Sequence, residues 1–273
     1  MARYPKQDDP GGKNVIPSVT EIIGDCTDKS GALTQWAANM VVGWIKENCI
    51  ENISGVTANP TISYYVTESE LNEARFNFKT VSQKALNIGS EVHNAIEVYL
   101  KREIARNDDG EPHWDITDPV YSKLGRQAMN SFNAFNAWQK EHNLKPIALE
   151  QTVYGDGWAG TLDFYGYFDS KLYVIDWKSS KAHYPEMRYQ VAAYLWAIRQ
   201  QIIGKYDPTF EEWPFVERNY LPKGCGVLRL DKETGLPHWK DTSKSYEQDL
   251  RIFNRMVDLY FERHPIIRKR ARG

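Results

Sequence analysis

Three stretches of alternating side chains follow one another from residue 147: IALEQTVYG, WAGTLDFYGYFD and KLYVIDWK, joined by Gly-Asp and Asp-Ser-Lys turns. A period of two is the signature of a strand, and Gly, Asp and Ser supply the backbone conformations that tight turns need. A meander of three antiparallel strands is therefore expected, and the rest of the chain has to pack on it. The third strand ends unusually. Asp176 and Lys178 stand two residues apart in an otherwise apolar run, so both project from one face while Ile175 and Trp177 take the other.

Around the meander the periodicity is helical. PSVTEII offers Ser18 as a cap for a first helix, and apolar spacing continues through ALTQWAANMVVGWIKENCI and the long run ESELNEARFNFKTVSQKALNIGSEVHNAIEVYLKREIAR. Residues 107–119, NDDGEPHWDITDP, are dense in Asp, Pro and Gly and are expected to form a loop before a helix over 120–143. After the meander, YPEMRYQVAAYLWAIRQQI places Val191, Leu195 and Ile198 at helical spacing. GCGVLRLDKETGLPHWK reads as a hairpin, and YEQDLRIFNRMVDLYFERH as a last amphipathic helix. This divides the chain into a flexible leader (1–16), a helical N-terminal region (17–85), a core (86–262) and a basic, solvated tail (263–273).

Composition narrows the function classes. Three cysteines in 273 residues, with no C-x-x-C pair, support neither a disulfide framework nor a zinc or iron–sulfur site, and a reducing cytoplasm, or a host cytoplasm for a viral chain, is the expected compartment. The N-terminus has no apolar core of a secretion signal, and the longest uncharged stretch is too short to span a bilayer, so no membrane role is expected. A net charge of −2 excludes a protein that coats nucleic acid through bulk charge, while leaving room for a local basic face. GDGWAG matches G-x-G-x-x-G, but it opens a strand instead of the helix that a dinucleotide site requires. No G-x-x-x-x-G-K-[ST] motif is present.

The acids carry the chemistry. With the second and third strands side by side, Asp163 approaches Asp176, and two carboxylates meet one ammonium. Oxygen donors of this kind suit one or two Mg2+ or Mn2+ ions that also hold phosphate oxygens and water. Lys178 can then place water or counter charge that builds on a phosphate. The plain alternative is a cross-strand salt bridge on a solvated face, which stabilises little. Glu97 lies one helical turn beyond His93 and could orient the imidazole. Ser179 and Lys181, just past the strand, could touch phosphate. The 9 Trp and 16 Tyr would suit base stacking as well as core packing.

Taken in order, GSEVH ending at His93, Glu150, GTLD ending at Asp163, VIDWK with Asp176 and Lys178, and QVAAY from Gln190 to Tyr194 resemble the PD-(D/E)xK nuclease superfamily, in particular its RecB-like exonuclease branch. The resemblance covers roughly residues 86–200. It implies an α/β or α+β fold with a restriction-endonuclease-like core: a central mixed sheet flanked by helices. It further implies Asp163, Asp176 and Lys178 as catalytic residues and His93 as a metal ligand, with the Trp177 main-chain carbonyl completing the coordination. Gln190 and Tyr194 would lie near DNA and metal, and Glu150 would be a supporting acid. Leu162 stands where the family name has proline, and Asp176 is shorter than the common Glu. The expected activity is metal-dependent exonucleolysis of DNA, single-stranded or with an end, in recombination, repair or replication, with any helicase or recombination activity supplied by a partner. The rivals are a structure-specific endonuclease and a catalytically silent nucleic-acid-binding protein.

Overall fold

The computed structural model describes residues 3–5, 15–54, 61–105, 119–204 and 221–272. The loop expected at 107–119 lies outside them apart from Pro119. Contacts divide the chain into two units, Met1–Thr27 with Gly89–Gly273, and Asp28–Ile88. Among the described residues no helix is long and apolar enough to cross a membrane.

The larger unit is built on a five-stranded mixed sheet whose strands, in spatial order, are β5 (Leu144–Gly155), β6 (Trp158–Phe168), β7 (Lys171–Lys178), β8 (Gly224–Leu230) and β9 (Pro237–Asp241). The expected meander forms β5, β6 and β7, antiparallel throughout. Its second turn uses Asp169 and Ser170 at φ +46° and +68°, the left-handed pair that lets a two-residue turn follow the twist of the strands. β8 joins β7 in parallel, and β9 closes the sheet antiparallel to β8. The chain crosses between the parallel strands through α6 (Pro185–Ile202).

Alternation in β7 sends its side chains to two different layers. Leu172 and Val174 join the core formed by α6, α7 (Tyr246–Arg263) and α1 (Val19–Cys26). Trp177 points the other way, with its ring centroid 5.5 Å from that of Phe135 in α5 (Arg126–Glu141) and 5.8 Å from that of Phe164. Tyr99, from the C-terminal part of α3 (Glu68–Ala105), packs edge-on to Phe132 and Phe135 in the same layer. Ser18 caps α1 as expected, its Oγ accepting from Glu21 N–H at 2.9 Å.

Several segments depart from the sequence expectation. Arg3–Pro5 (β1) and Val15–Pro17 (β2) pair as strands inside the supposed leader, and Tyr4 reaches Thr161 on β6 through a 2.9 Å hydroxyl contact. A few residues of pairing leave too little pattern to mark a strand in sequence. The expected helix over 120–143 breaks into α4 (Pro119–Ser122) and α5, with Gly125 as the N-cap. The basic tail is helical as α8 (Pro265–Arg272), and Ile267 packs against the core, so the segment is not simply solvated.

The smaller unit holds α2 (Ser30–Asn48), the hairpin β3 (Ile50–Ser54) with β4 (Thr61–Tyr65), and the first part of α3. The hairpin corrects the helical reading of 17–85: TISYY is rich in β-formers but IENIS is not, and both are too short to outweigh the helical runs on either side. Thr67 and Glu70 form a capping box at the start of α3: Thr67 N–H donates to Glu70 Oε2 at 2.7 Å and Glu70 N–H to Thr67 Oγ1 at 3.3 Å. Asn77 Nδ2 donates to the Met40 carbonyl at 3.3 Å, tying α3 to α2.

Gly166 is required by the close approach of a neighbouring backbone. A Cβ on Gly166 would lie 2.8 Å from Pro146 Cα and collide with the Lys145 carbonyl, beside the register shift between Pro146 and Ala148. Backbone on a paired strand cannot step aside cheaply. Gly166→Ala is expected to cost roughly 1–3 kcal/mol, lowering the melting temperature by several degrees in thermal unfolding.

Candidate metal centre

The site forms where the β6–β7 ladder stops. The last residues in register are Phe164 and Ile175, and beyond them the Asp163 carboxylate serves as the acceptor: Trp177 N–H donates to Asp163 Oδ2 at 2.6 Å. This bond holds the two strands together while leaving Asp163 and the next residue of β7, Asp176, near one another. Asp163 is 6% exposed and Asp176 fully buried. Lys178 Nζ lies 2.6 Å from Asp176 Oδ2. The distance is that of a tight, charge-assisted contact on Oδ2, while Oδ1 is buried with no hydrogen-bond partner. A fully buried carboxylate in that state is costly unless further positive charge is near.

His93 reaches the site from α3. Its Nε2 lies 3.2 Å from the Trp177 carbonyl, to which the ring N–H donates. That contact turns Nδ1 toward two carboxylates, 3.4 Å from Asp163 Oδ1 and 3.5 Å from Glu150 Oε1. His93, Glu150 and Asp163 thereby offer one donor atom each, all within 4.8 Å of one another, and this group can hold a metal ion. The trio contains His93 and Asp163 of the expected ligands together with Glu150, while Asp176 contacts Lys178 and the Trp177 carbonyl accepts from the imidazole.

Glu150 is held in place by its backbone. It sits at φ +46° inside β5, while its neighbours Leu149 and Gln151 pair with Phe164 and Leu162. A non-glycine residue in the left-handed region costs on the order of 1–3 kcal/mol and persists only when its surroundings enforce it. Here the two flanking pairs enforce it, and the carboxylate faces His93.

The electrostatics follow from three acids gathered around one ammonium. Burial opposes a charged His93 ring, but the Asp163 charge and the contacts with Asp163 and Glu150 outweigh it and push the imidazole up to about 10. Burial would also raise Asp163, yet the charge of His93 keeps its carboxyl below the usual range. Burial pushes Asp176 up to about 6, with the Lys178 charge opposing and the Asp163 charge adding. Burial works against the Lys178 ammonium, but the carboxylates of Asp176 and Asp163 raise its pKa, so it stays charged. The metal-free site thus carries a proton on His93 where a cation would otherwise balance the acids.

A divalent ion that binds Nδ1 must displace that proton. Between pH 6 and 9 the affinity is expected to rise about tenfold per pH unit, with about one proton released per ion. Below about 6, Asp176 takes up a proton as well, and the binding weakens further. Isothermal titration in buffers of different ionisation enthalpy measures the release. A pH-independent affinity would remove His93 from the ligand set.

The remaining expected residues fall at varying distances from this centre. Gln190 Nε2 donates to Tyr194 OH at 3.0 Å, and both side chains are buried. Tyr194 occupies space left by Gly160, where a Cβ would meet Cε1 at 2.5 Å. Burial, then the charge of Asp176, holds the Tyr194 phenol well above its usual pKa, so it remains a neutral hydroxyl beside the acids. Ser179 passes alongside Gly89 of α3. Lys181 is exposed on the following loop. Glu97 is not brought to the imidazole: its Oε1 pairs with Lys101 Nζ at 2.6 Å, the next turn of the helix offering a full charge where His93 has both ring nitrogens engaged.

Arg229 was not legible as a neighbour of the site. It stands in register with Lys178 across the parallel β7–β8 pair and is 8% exposed. Its guanidinium donates to the Ser180 carbonyl at 3.3 Å and to Asp231 Oδ2 at 2.8 Å, anchoring the loop that follows Lys178. The sequence holds only the alternation of GCGVLRL as a signal, and which strand it would join depends on the crossover.

Comparison with models of known protein families and with curated proteins gives no match to this chain.

Proposed function

We propose that the protein is a Mg2+- or Mn2+-dependent deoxyribonuclease of PD-(D/E)xK type, acting as an exonuclease at DNA ends. The observation that carries this reading is the convergence of Asp163, Asp176 and Lys178 at the end of the β6–β7 ladder, with His93 and Glu150 completing a metal-holding group. Asp176 Oδ1, buried and without a hydrogen-bond partner although Oδ2 meets Lys178, supports a further cation at the site. One imidazole nitrogen with several carboxylate oxygens is a donor set that suits Mg2+ and, with its nitrogen, Mn2+.

His93 Nδ1, Glu150 and Asp163 would hold the ion, with Asp176 alongside. When bound, the ion supplies Lewis acidity toward a phosphodiester and makes water more acidic. Lys178 is the chain's own contribution to charge stabilisation. Its raised pKa makes it a fixed cation and not a general base, suited to an oxygen on which negative charge grows. Asp176 holds that ammonium in position. Gln190 and the neutral Tyr194 hydroxyl offer hydrogen bonds to a substrate phosphate or to water. A protein that only bound nucleic acid would gain nothing from three acids that repel phosphate.

Digestion of end-labelled linear DNA with and without chelator tests the proposal. Hydrolysis is expected with Mg2+ or Mn2+, to vanish in EDTA, and to be slow in Ca2+, whose looser coordination positions reactants poorly. Undiminished hydrolysis in EDTA would overturn it. Covalently closed circular DNA is expected to be spared, whereas cutting of the circle would make the activity endonucleolytic.

A further inference from the structure

A second candidate surface lies in the Asp28–Ile88 unit, on the part of α3 that precedes His93. The helical period brings Asn72, Arg75, Phe76, Lys79, Gln83 and Leu86 onto one stripe, and all six are exposed. Between Asn72 and Leu86 the stripe itself carries no acid, with Glu73 at its edge one turn before Phe76, although the protein as a whole is slightly negative. Two cations converge on a single ring: the Arg75 guanidinium carbon lies 5.3 Å, and Lys79 Nζ 4.9 Å, from the centroid of Phe76, which is 45% exposed.

Both cations are attracted to the ring, but Arg75 and Lys79 are one turn apart, a spacing at which like charges repel. That repulsion falls if an anion bridges the cations, and the exposed ring loses contact with water if a flat apolar group covers it. A nucleotide has those two parts at matching scale, a phosphate on the strand and a base with a stacking face. A duplex hides the faces of its bases, so an exposed ring of this kind selects a single strand.

We propose that the Asn72–Leu86 stripe of α3 docks single-stranded nucleic acid, with Phe76 stacked on a base and Arg75 and Lys79 holding the flanking phosphates. The choice of ligand rests on the nuclease reading, in which the stripe would grip the substrate strand.

Fluorescence anisotropy of labelled (dT)20 in EDTA reads binding without cleavage. Phe76→Ala is expected to weaken binding about tenfold and Phe76→Trp to restore it, because stacking needs only an aromatic face. Arg75→Ser with Lys79→Ser is expected to lower the slope of log affinity against log salt by about 1.4, the amount for two phosphate contacts on a single strand. These side chains are exposed, so thermal unfolding should be unchanged. Variants that bind as wild type, while wild type cleaves DNA, would overturn the docking stripe and leave the nuclease reading standing. Loss of binding in the variants of a protein that never cleaves would do the reverse. A poly-glutamate peptide that displaces (dT)20 as well as unlabelled oligonucleotide does, from wild type and Phe76→Ala alike, would assign the stripe to acidic peptides and overturn the proposal.

Discussion

Asp163→Asn and Asp176→Asn are each expected to abolish DNA cleavage while leaving the fold intact. Asparagine keeps the size of the side chain and, at position 163, an oxygen that can still accept the Trp177 N–H. What is lost is negative charge in the group that would hold the ion. The two variants should part in their metal affinity. Asp163 belongs to the trio with His93 and Glu150, so its replacement should remove most metal binding; Asp176 is paired with Lys178, so its replacement should reduce binding less. Binding of DNA in EDTA should persist or tighten in both, because repulsion toward phosphate falls. Single-turnover cleavage together with metal titration separates these effects. Cleavage by Asp163→Asn at the wild-type rate would remove this carboxylate site as the seat of the activity.

Lys178→Ala carries the second large effect. The variant keeps His93, Glu150 and Asp163, so metal affinity should change little, while the cleavage step should slow by on the order of 10²-fold or more, the loss seen when one preorganised donor to a transition state is removed. Lys178→Arg keeps a cation and should retain part of the rate. A near wild-type rate constant in Lys178→Ala, measured with saturating metal, would leave the Asp176–Lys178 pair as a salt bridge and nothing more. A stability effect is expected too, since the alanine leaves a buried Asp176 with no ammonium beside it. It should be smallest below about pH 6, where Asp176 takes up a proton.

The dividing line between what was legible in sequence and what was not runs along the distance over which a pattern is encoded. The period-two alternation of KLYVIDWK by itself placed Asp176 and Lys178 on one face and Trp177 on the other, and the structure keeps that division, with Trp177 packed against Phe135 and Phe164. The Asp-Ser turn determined that Asp163 would come beside Asp176, because a two-residue turn leaves one register. Ser18 and the helical spacing of α6 were likewise local facts. Tertiary structure decided the rest. Glu150 enters the metal group through a left-handed backbone that its neighbours' pairing enforces, a conformation nothing in IALEQTVYG signals. Glu97 was one turn from His93 and equally able to reach it, until Lys101 claimed its carboxylate and the Trp177 carbonyl turned the ring. Arg229 came beside Lys178 only when a crossover laid β8 parallel to β7. Side-chain direction within a strand or helix follows from the chain's own geometry over two to four residues. Which partner a side chain meets depends on competing charges and on segments far away in sequence, and that competition is resolved only when the whole fold sets the distances.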